Sequence, residues 1–197
     1  MLEEDDFPST RGRAREEESA WRAGGEPSQQ EPERTAGGYV RWLSLSALVI
    51  LLDQWSKYAV GSHLEYGESF SVVSFFNLVL AHNQGAAFSM LNDAGGWQRW
   101  LFTAIAIVAS VWIVQLLRKH QGQKLFCFAL ALILGGALGN LIDRIVYGYV
   151  VDFLDFYWNQ NHFPAFNLAD SAITLGAALL LLESFTDKES GRVDKGA

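Results

Sequence analysis

Cysteine is nearly absent from this chain of 197 residues: Cys127 is the only one, so no intrachain disulfide can form. It lies in an apolar run without an adjoining histidine, which argues against a cysteine nucleophile and favours a small buried hydrophobe. The four histidines show neither an HExxH motif nor another paired spacing of a zinc site. We therefore expect no metal and no cofactor.

A basic and apolar leader is also missing, because acidic residues follow Met1 closely. We expect no cleavable signal peptide, so that the first membrane span would act as the targeting element. Residues 1–38 carry Pro, Gly, Ser, Gln and Glu with almost no aliphatic side chains, a composition that predicts disorder. Up to Arg34 there are ten acidic residues against five arginines, so five of the seven excess negative charges lie in this tail.

Long apolar runs dominate the rest of the chain. Half of all residues are apolar, with seven Trp and thirteen Phe, which suits a membrane protein. Since about 20 apolar residues cross the hydrocarbon core, the pattern predicts four spans. These are Val40–Gly61, Trp100–Leu117, Leu125–Tyr147 and Phe166–Phe185. The predicted organisation is a disordered tail over 1–38, a four-span domain over 39–187 and a second tail over 188–197.

The distribution of basic residues predicts the orientation of these spans. Lysines and arginines flank the first span, fill the short connection between the second and third, and follow the fourth: Arg34, Arg41, Arg118, Lys119, Lys124, Lys188, Arg192 and Lys195. The two long connections, 62–99 and 148–165, contain only Arg99. By the positive-inside rule both termini are expected in the cytoplasm.

The 62–99 connection is too polar to span a membrane. It contains β-branched and aromatic residues with Gly and Asn breaks, a pattern that favours short strands at the membrane surface. Trp97 and Trp100 follow as interfacial anchors. The fold class expected is therefore mainly α and integral to the membrane, with four helices and a small extracytoplasmic β-sheet between the first and second spans.

Acidic residues cluster between the last two apolar runs, which is an unusual place for charge. Asp143, Asp152, Asp155 and Asp170 lie there with Asn140, Asn167 and Arg144. Intramembrane or membrane-edge charge is costly and tends to mark function. Two carboxyls in a poorly solvated site can divide the acid and base roles of hydrolysis, because both do not ionise cheaply side by side.

The residues alone leave open which two acids form such a pair. Asp143 adjoins Arg144, which favours a supporting role for it. Asp155 is expected to be solvated; it shares a face with Asp152 in a helix and lies on the opposite face in a strand. Two other classes also remain open at this point: a small transporter with membrane carboxylates, and a magnesium-dependent enzyme acting on lipid phosphates.

Two further spacings bear on the helices. Asp53 and Lys57 stand four residues apart, so one helix face carries both, and an ion pair is the simplest expectation. Gly135 and Gly139 form a small-xxx-small spacing that lets helices approach closely.

Five short motifs carry a resemblance to a known family. The stretches GGALGNLIDR, VVDF and FNLAD, preceded by DQWSKYAV and AHNQGAAFSML, resemble the motifs of bacterial lipoprotein signal peptidase (signal peptidase II), in the same order. The resemblance covers about Trp42 to Phe185.

The resemblance implies a membrane aspartic endopeptidase with Asp152 and Asp170 as its catalytic pair. It implies supporting or substrate-binding roles for Asp53, Lys57, Asn83, Gly85, Asn140, Asp143, Arg144 and Asn167. The implied substrates are diacylglyceryl-modified prolipoproteins, cut on the N-terminal side of the lipidated cysteine. The implied setting is the bacterial inner membrane, with the active site at the extracytoplasmic face. We expect contacts with membrane lipid, no nucleic acid, and a monomer.

Overall fold

The computed structural model describes residues 36–85 and 96–193, and its secondary structure is mainly helical. Almost all of the predicted 1–38 tail lies outside the described residues, as do residues 194–197. Within the described residues, four helices and four strands follow one another along the chain. They are α1 (Ala36–Gly61), β1 (Ser69–Val73), β2 (Phe76–Asn83), α2 (Trp97–Lys119), α3 (Lys124–Val146), β3 (Val150–Trp158), β4 (Asn161–His162) and α4 (Leu168–Val193).

Three helices in the described part of the chain are long and apolar enough to cross a membrane. They are α2, α3 and the Leu168–Phe185 part of α4. Helix α1 has 26 residues and is about 39 Å long at 1.5 Å per residue, which is long enough to cross a membrane. It is not among these three helices, and it carries the charged residues Arg41, Asp53 and Lys57. Helix α3 is the central helix, since it packs against α1, α2 and α4.

Large apolar side chains cover the outside of the helices. Trp55 of α1, Val108 of α2 and Leu181 of α4 are each more than 60% exposed. Polar groups lie between the same helices, among them Ser46 of α1, whose hydroxyl donates to the carbonyl of Ala131 of α3 at 2.9 Å. An apolar exterior around a partly polar interior suits a hydrocarbon solvent.

Close helix contacts depend on the glycines of α3. A side-chain Cβ at Gly135 would lie 2.6 Å from Cβ of Val49, and one at Gly139 would lie 2.6 Å from a carboxylate oxygen of Asp53. Both neighbours belong to α1, so the predicted small-residue contact is confirmed. Cys127 is fully buried in the same helix, as its apolar surroundings predict.

The strands form one antiparallel sheet in the order β1-β2-β3-β4. Strands β1 and β2 lie between α1 and α2, where the sequence predicts strands. The other two strands come from 148–165, which the sequence analysis treats as a connection. Val150–Trp158 is rich in β-branched and aromatic residues, and β2 supplies its hydrogen-bonding partner. The sheet therefore joins both long connections.

Candidate active site

Asp152 and Asp170 reach the site from different elements. Asp152 is 2% exposed and lies on β3 opposite Ala81 of β2. Asp170 lies in the first turn of α4. Before that helix begins, Phe166 pairs with Leu154 of β3 through two backbone hydrogen bonds of 2.8 and 3.1 Å. This pairing brings the start of α4 beside Asp152.

Asn167 caps α4 and also binds Asp152. Its side-chain oxygen accepts from the backbone N–H of Asp170 at 2.9 Å, and the Asp170 carboxylate accepts from the backbone N–H of Asn167 at 3.3 Å. This reciprocal arrangement is a capping box. The amide Nδ2 of Asn167 donates to Asp152 Oδ1 at 2.8 Å. Capping and a place in the site are thus combined in one residue.

Asn140 of α3 completes a chain of amides between the two acids. Its Nδ2 donates to Asp170 Oδ1 at 2.7 Å, while its Oδ1 accepts from Asn167 Nδ2 at 3.1 Å. Asp152 and Asp170 are therefore linked through Asn167 and Asn140. Since an amide has both donors and an acceptor, it can connect two carboxyls without adding charge.

The end of β2 forms a second side of the site. Asn83 Nδ2 donates to Asp152 Oδ2 at 3.0 Å, and Asn83 Oδ1 accepts from the backbone N–H of Gly85 at 3.0 Å. Arg144 donates to the carbonyl of Gly85 and to that of Asn140, each at 3.3 Å. Its guanidinium also interacts electrostatically with Asp170 and Asp152. Arg144 thus places positive charge beside both acids.

A buried ion cluster lies behind the amides. Lys57 is 5% exposed, and its Nζ lies 2.7 Å from Asp53 and 2.8 Å from Asp143. The third Nζ hydrogen bond, of 3.0 Å, goes to Asn140 Oδ1. The expected ion pair of Asp53 with Lys57 is present, and Lys57 also forms an ion pair with Asp143.

Asp143 interacts electrostatically with Arg144, but its direct contacts are with other residues. Asp143 accepts from Gln54 at 2.8 Å and from the backbone N–H of Val151 at 3.0 Å, besides pairing with Lys57. Neighbouring residues on a helix point about 100° apart, so Asp143 and Arg144 do not face each other. Asp143 therefore fastens α3 to α1 and to the start of β3.

Asp155 is not solvated, which contradicts the expectation from its residue type. It is 6% exposed, accepts from Asn77 Nδ2 at 2.9 Å and lies 2.9 Å from His162 Nδ1. Asn77 stands opposite it on β2, and His162 lies on β4. Because residues 152–155 form a strand, Asp155 and Asp152 point to opposite faces. Asp155 therefore belongs to a separate cluster.

Sequence reasoning missed Gln54, which binds both Asp143 and the Gly139 carbonyl, the latter at 3.2 Å. Its position gave a usable signal, since Gln54 lies three residues before Lys57 on the same helix. His162 gave no such signal, because its contact with Asp155 depends on the β3–β4 pairing.

Burial is the largest influence on the pKa of Asp152. Burial, and next the negative charge of Asp170, raise the pKa of Asp152 from 3.8 to about 7. Hydrogen bonds from Asn83 and Asn167 and the charge of Lys57 oppose this shift. Near neutral pH the pair can thus hold one carboxylate and one protonated carboxyl.

Helices of this apolarity belong in a bilayer. The buried Asp152 and the half-buried Asp170, whose charge raises the pKa of Asp152, can divide acid and base roles. The fold and the site therefore define a class: the chain is a membrane protein whose paired carboxyls have the chemistry of an aspartic hydrolase. Comparison with known proteins narrows the class, because the family model "Signal peptidase (SPase) II" matches residues 45–186. The chain belongs to the signal peptidase II family, whose members are membrane aspartic peptidases that cleave the signal peptides of prolipoproteins.

Individual relatives agree with the family match. The lipoprotein signal peptidase of Ralstonia nicotianae is 61% identical over 142 residues, covering 72% of this chain and 82% of the relative. That of Paraburkholderia phytofirmans is 58% identical over 158 residues, covering 79% and 92%. A solved bacterial membrane enzyme is similar in fold, with a TM-score of 0.69, 31% identity and coverage of 79% and 92%. These findings confirm the resemblance and make the chain a protein of the bacterial inner membrane.

Proposed function

We propose that this chain removes signal peptides from diacylglyceryl-modified prolipoproteins, cutting on the N-terminal side of the lipidated cysteine, and that Asp152 and Asp170 are its catalytic pair. The observation that carries the proposal is the amide-linked pair of acids, in which burial and the charge of Asp170 raise the pKa of Asp152 to about 7. A pair that shares one proton near neutral pH has the composition that peptide hydrolysis needs.

The reaction then follows from the composition of the pair. One carboxylate takes a proton from a water molecule as its oxygen attacks the scissile carbonyl, while the protonated partner donates to the carbonyl oxygen. The resulting tetrahedral intermediate collapses when the amide nitrogen is protonated and leaves as the amine of the lipidated cysteine. The proton removed from water is thus returned to the leaving group, and one carboxyl of the pair is again protonated.

The surrounding amides have two proposed roles. Asn140 and Asn167 hold the carboxyls, because their side-chain donors already bind Asp170 and Asp152. Asn83 and Gly85 lie at the end of β2, where the substrate backbone can be bound next to Asp152. Arg144, which binds the carbonyl of Gly85, fixes this segment and adds positive charge.

The ion cluster supports the amides indirectly. Lys57 donates to Asn140 Oδ1, which fixes the orientation of that amide so that its Nδ2 faces Asp170. Asp53 and Asp143 hold Lys57 in place, and Asp53 also accepts from the backbone N–H of Ala169 at 2.9 Å. We therefore assign all three charged residues a supporting role.

We further propose that α1 is a fourth span, with both termini in the cytoplasm. Its charged residues Asp53 and Lys57 are buried, while Leu51 and Trp55 on its outer side are 66% and 68% exposed. Since the Lys57 ammonium is fully paired, α1 can present an apolar surface to lipid. With this topology the sheet and the two acids lie at the extracytoplasmic face, where a lipidated cysteine at the bilayer surface can reach them. We propose that the enzyme works as a monomer.

Cleavage by the purified full chain in lipid nanodiscs tests the proposed activity. Matched prolipoproteins with and without the diacylglyceryl group are incubated with the enzyme, with and without a chelator. We expect cleavage only of the lipidated form, before the modified cysteine, at a rate that the chelator leaves unchanged. Chelator-sensitive cleavage would point to metal chemistry, and equal cleavage of both forms would contradict the proposed specificity.

A further inference from the structure

A cavity of about 310 Å³, lined by polar and aromatic residues, lies at the start of α2, apart from the two acids. Its lining includes Gln84, Gln98, Arg99, Trp100, Tyr147 and Tyr149. The rings of Tyr147 and Tyr149 stack with centroids 5.9 Å apart. Neither the catalytic pair nor its supporting cluster contributes a side chain to this cavity.

Arg99 contributes positive charge to the lining of this cavity. Its Nη2 donates to the carbonyl of Ile145 at 3.0 Å, and its guanidinium carbon lies 5.0 Å from the centre of the Trp100 ring. In the described parts of the chain no carboxylate forms an ion pair with it. A partly buried guanidinium without an anion favours an external anionic partner.

Gly148 makes room for the guanidinium. It has a φ of 88°, and a Cβ at this position would lie 3.1 Å from Nη1 of Arg99. A side chain there would be strained and would also crowd the charged group. The close approach of Arg99 to the end of α3 therefore depends on glycine.

The position of the cavity along the membrane normal indicates what kind of anion it binds. Trp97 and Trp100 flank Arg99 and are 53% and 66% exposed, and Tyr147 is 56% exposed. Exposed Trp and Tyr at the end of a membrane helix lie at the level of the lipid headgroups. Arg99 therefore lies at the level of the lipid phosphates, which guanidinium groups bind in bidentate fashion.

We propose that this cavity binds a phosphate group, supplied by a phospholipid headgroup, with Arg99 as the main ligand. Gln98 and the two tyrosines frame the headgroup beyond the phosphate. Gln84 lies between Asn83 and Gly85, so a bound headgroup would contact the segment next to Asp152. The binding site does not depend on the proposed catalytic roles, and its test uses binding and not cleavage.

Native mass spectrometry of the purified full chain in detergent measures the binding directly. The wild type, Arg99→Gln and Arg118→Gln are each titrated with a short-chain phosphatidylglycerol and, in a separate series, with inorganic phosphate. Arg118 is a matched control, since it lies at the other end of α2 and its guanidinium also stacks on an aromatic ring, 5.3 Å from Tyr39. We expect Arg99→Gln to weaken lipid binding about tenfold, as for loss of a charge-assisted bond, and Arg118→Gln to match the wild type.

The two series distinguish the sources of phosphate. Arg99-dependent binding of the lipid alone supports a headgroup site, and Arg99-dependent binding of both ligands supports a phosphate site that free phosphate can also fill. Unchanged binding in Arg99→Gln overturns the proposal. A lower melting temperature with unchanged binding does so too, because Arg99 would then only cap the C-terminal end of α3.

A second variant covers the case in which Arg99→Gln does not fold. Gln84 is exposed, so Gln84→Glu should be tolerated and would place a carboxylate in the cavity. The new charge should compete for Arg99 and weaken lipid binding to a similar extent. Full lipid binding by a folded Gln84→Glu variant would count against the site.

Discussion

At the scale of single residues, the site depends on amides that bind carboxyls without neutralising them. Asp152 accepts from Asn83 at 3.0 Å and from Asn167 at 2.8 Å, whereas the Lys57 ammonium is taken up by Asp53 and Asp143. Lys57 thus forms its ion pairs with other carboxylates, and its charge lowers the pKa of Asp152 less than burial raises it. The pKa of Asp152 can then rise to about 7, because burial outweighs the stabilising contacts.

This pKa predicts the pH dependence of cleavage. If the active pair carries one proton, activity falls at low pH as a second proton binds, and it falls above about pH 7 as Asp152 loses its proton. The profile of kcat against pH should therefore be bell-shaped, with its alkaline side near neutrality. Initial rates at saturating lipidated substrate measure it. A profile that keeps rising from pH 6 to pH 9 would exclude a protonated Asp152 in the reacting state.

Single residues also show how far the sequence could be interpreted. Motif resemblance predicted Asp152 and Asp170 as a pair, and the structure links the two acids through amides. Helical spacing predicted the Asp53–Lys57 ion pair, which is present. The expectation that Asp155 is solvated was wrong, because residue type carries no information about a partner such as His162 on another strand. Asp143 interacts electrostatically with the neighbouring Arg144, but its ion pair is with Lys57, a contact that sequence adjacency does not reveal.

At the scale of secondary-structure elements, α3 positions most of the site. It presents Gly135 and Gly139 to α1, and it carries Asn140 directly after Gly139 and Asp143 one turn after Gly139. The close approach of α1 places Lys57 within hydrogen-bonding distance of Asn140. Helix packing and the positions of the amide and carboxyl groups around the two acids are therefore set by the same turns of one helix.

A substitution at Gly135 tests this dependence. Gly135→Val should push α1 away, because even a Cβ would lie 2.6 Å from Val49, and overpacking of this kind costs about 1–3 kcal/mol. The melting temperature in detergent should fall, with cleavage reduced as the amides move. Gly61→Ala is the control, since nothing lies within 4 Å of a Cβ there. Equal melting temperatures for both variants would show that the helices do not rely on this contact.

The elements also mark the limit of interpretation by pattern. Apolar runs predicted the helices, with starts that differ by a few residues: α2 begins at Trp97 and α4 at Leu168. The β2–β3 pairing was not foreseen, because it joins segments about 70 residues apart and strand pairing is non-local. Without that pairing, the position of Asp152 beside Asn83 could not be derived.

At the scale of the whole molecule, the proposed topology of four spans with both termini in the cytoplasm can be tested. Reporter fusions after Lys124 and after Asp155 should lie on opposite sides, because α3 separates these positions. A phosphatase reporter, active only outside, should be active after Asp155, and a fluorescent reporter should be active after Lys124. If both fusions report the same side, the proposed placement of the site is wrong.

The N-terminal tail is predicted to be dispensable for cleavage. Residues 2–35 match none of the five motifs, and the family match begins only at residue 45. A variant lacking 2–35 should insert into the membrane and cleave at a rate within about twofold of the full chain, as expected for a segment whose composition has almost no aliphatic side chains. Normal insertion with lost cleavage would assign the tail a role in the reaction.

Turnover of a lipidated prolipoprotein by purified variants in nanodiscs shows whether Asp152 and Asp170 act as one unit. Asp152→Asn and Asp170→Asn should each abolish cleavage while still binding substrate, and the double variant should be hardly slower than either, because parts of one catalytic unit are not additive. Asp143→Asn should fall between these and the wild type. Asp155→Asn is the matched control, since its carboxyl is buried on the opposite face of β3 and should leave most activity intact. Substantial turnover by Asp152→Asn alongside an inert, folded Asp155→Asn would contradict the account and move the pair to Asp155.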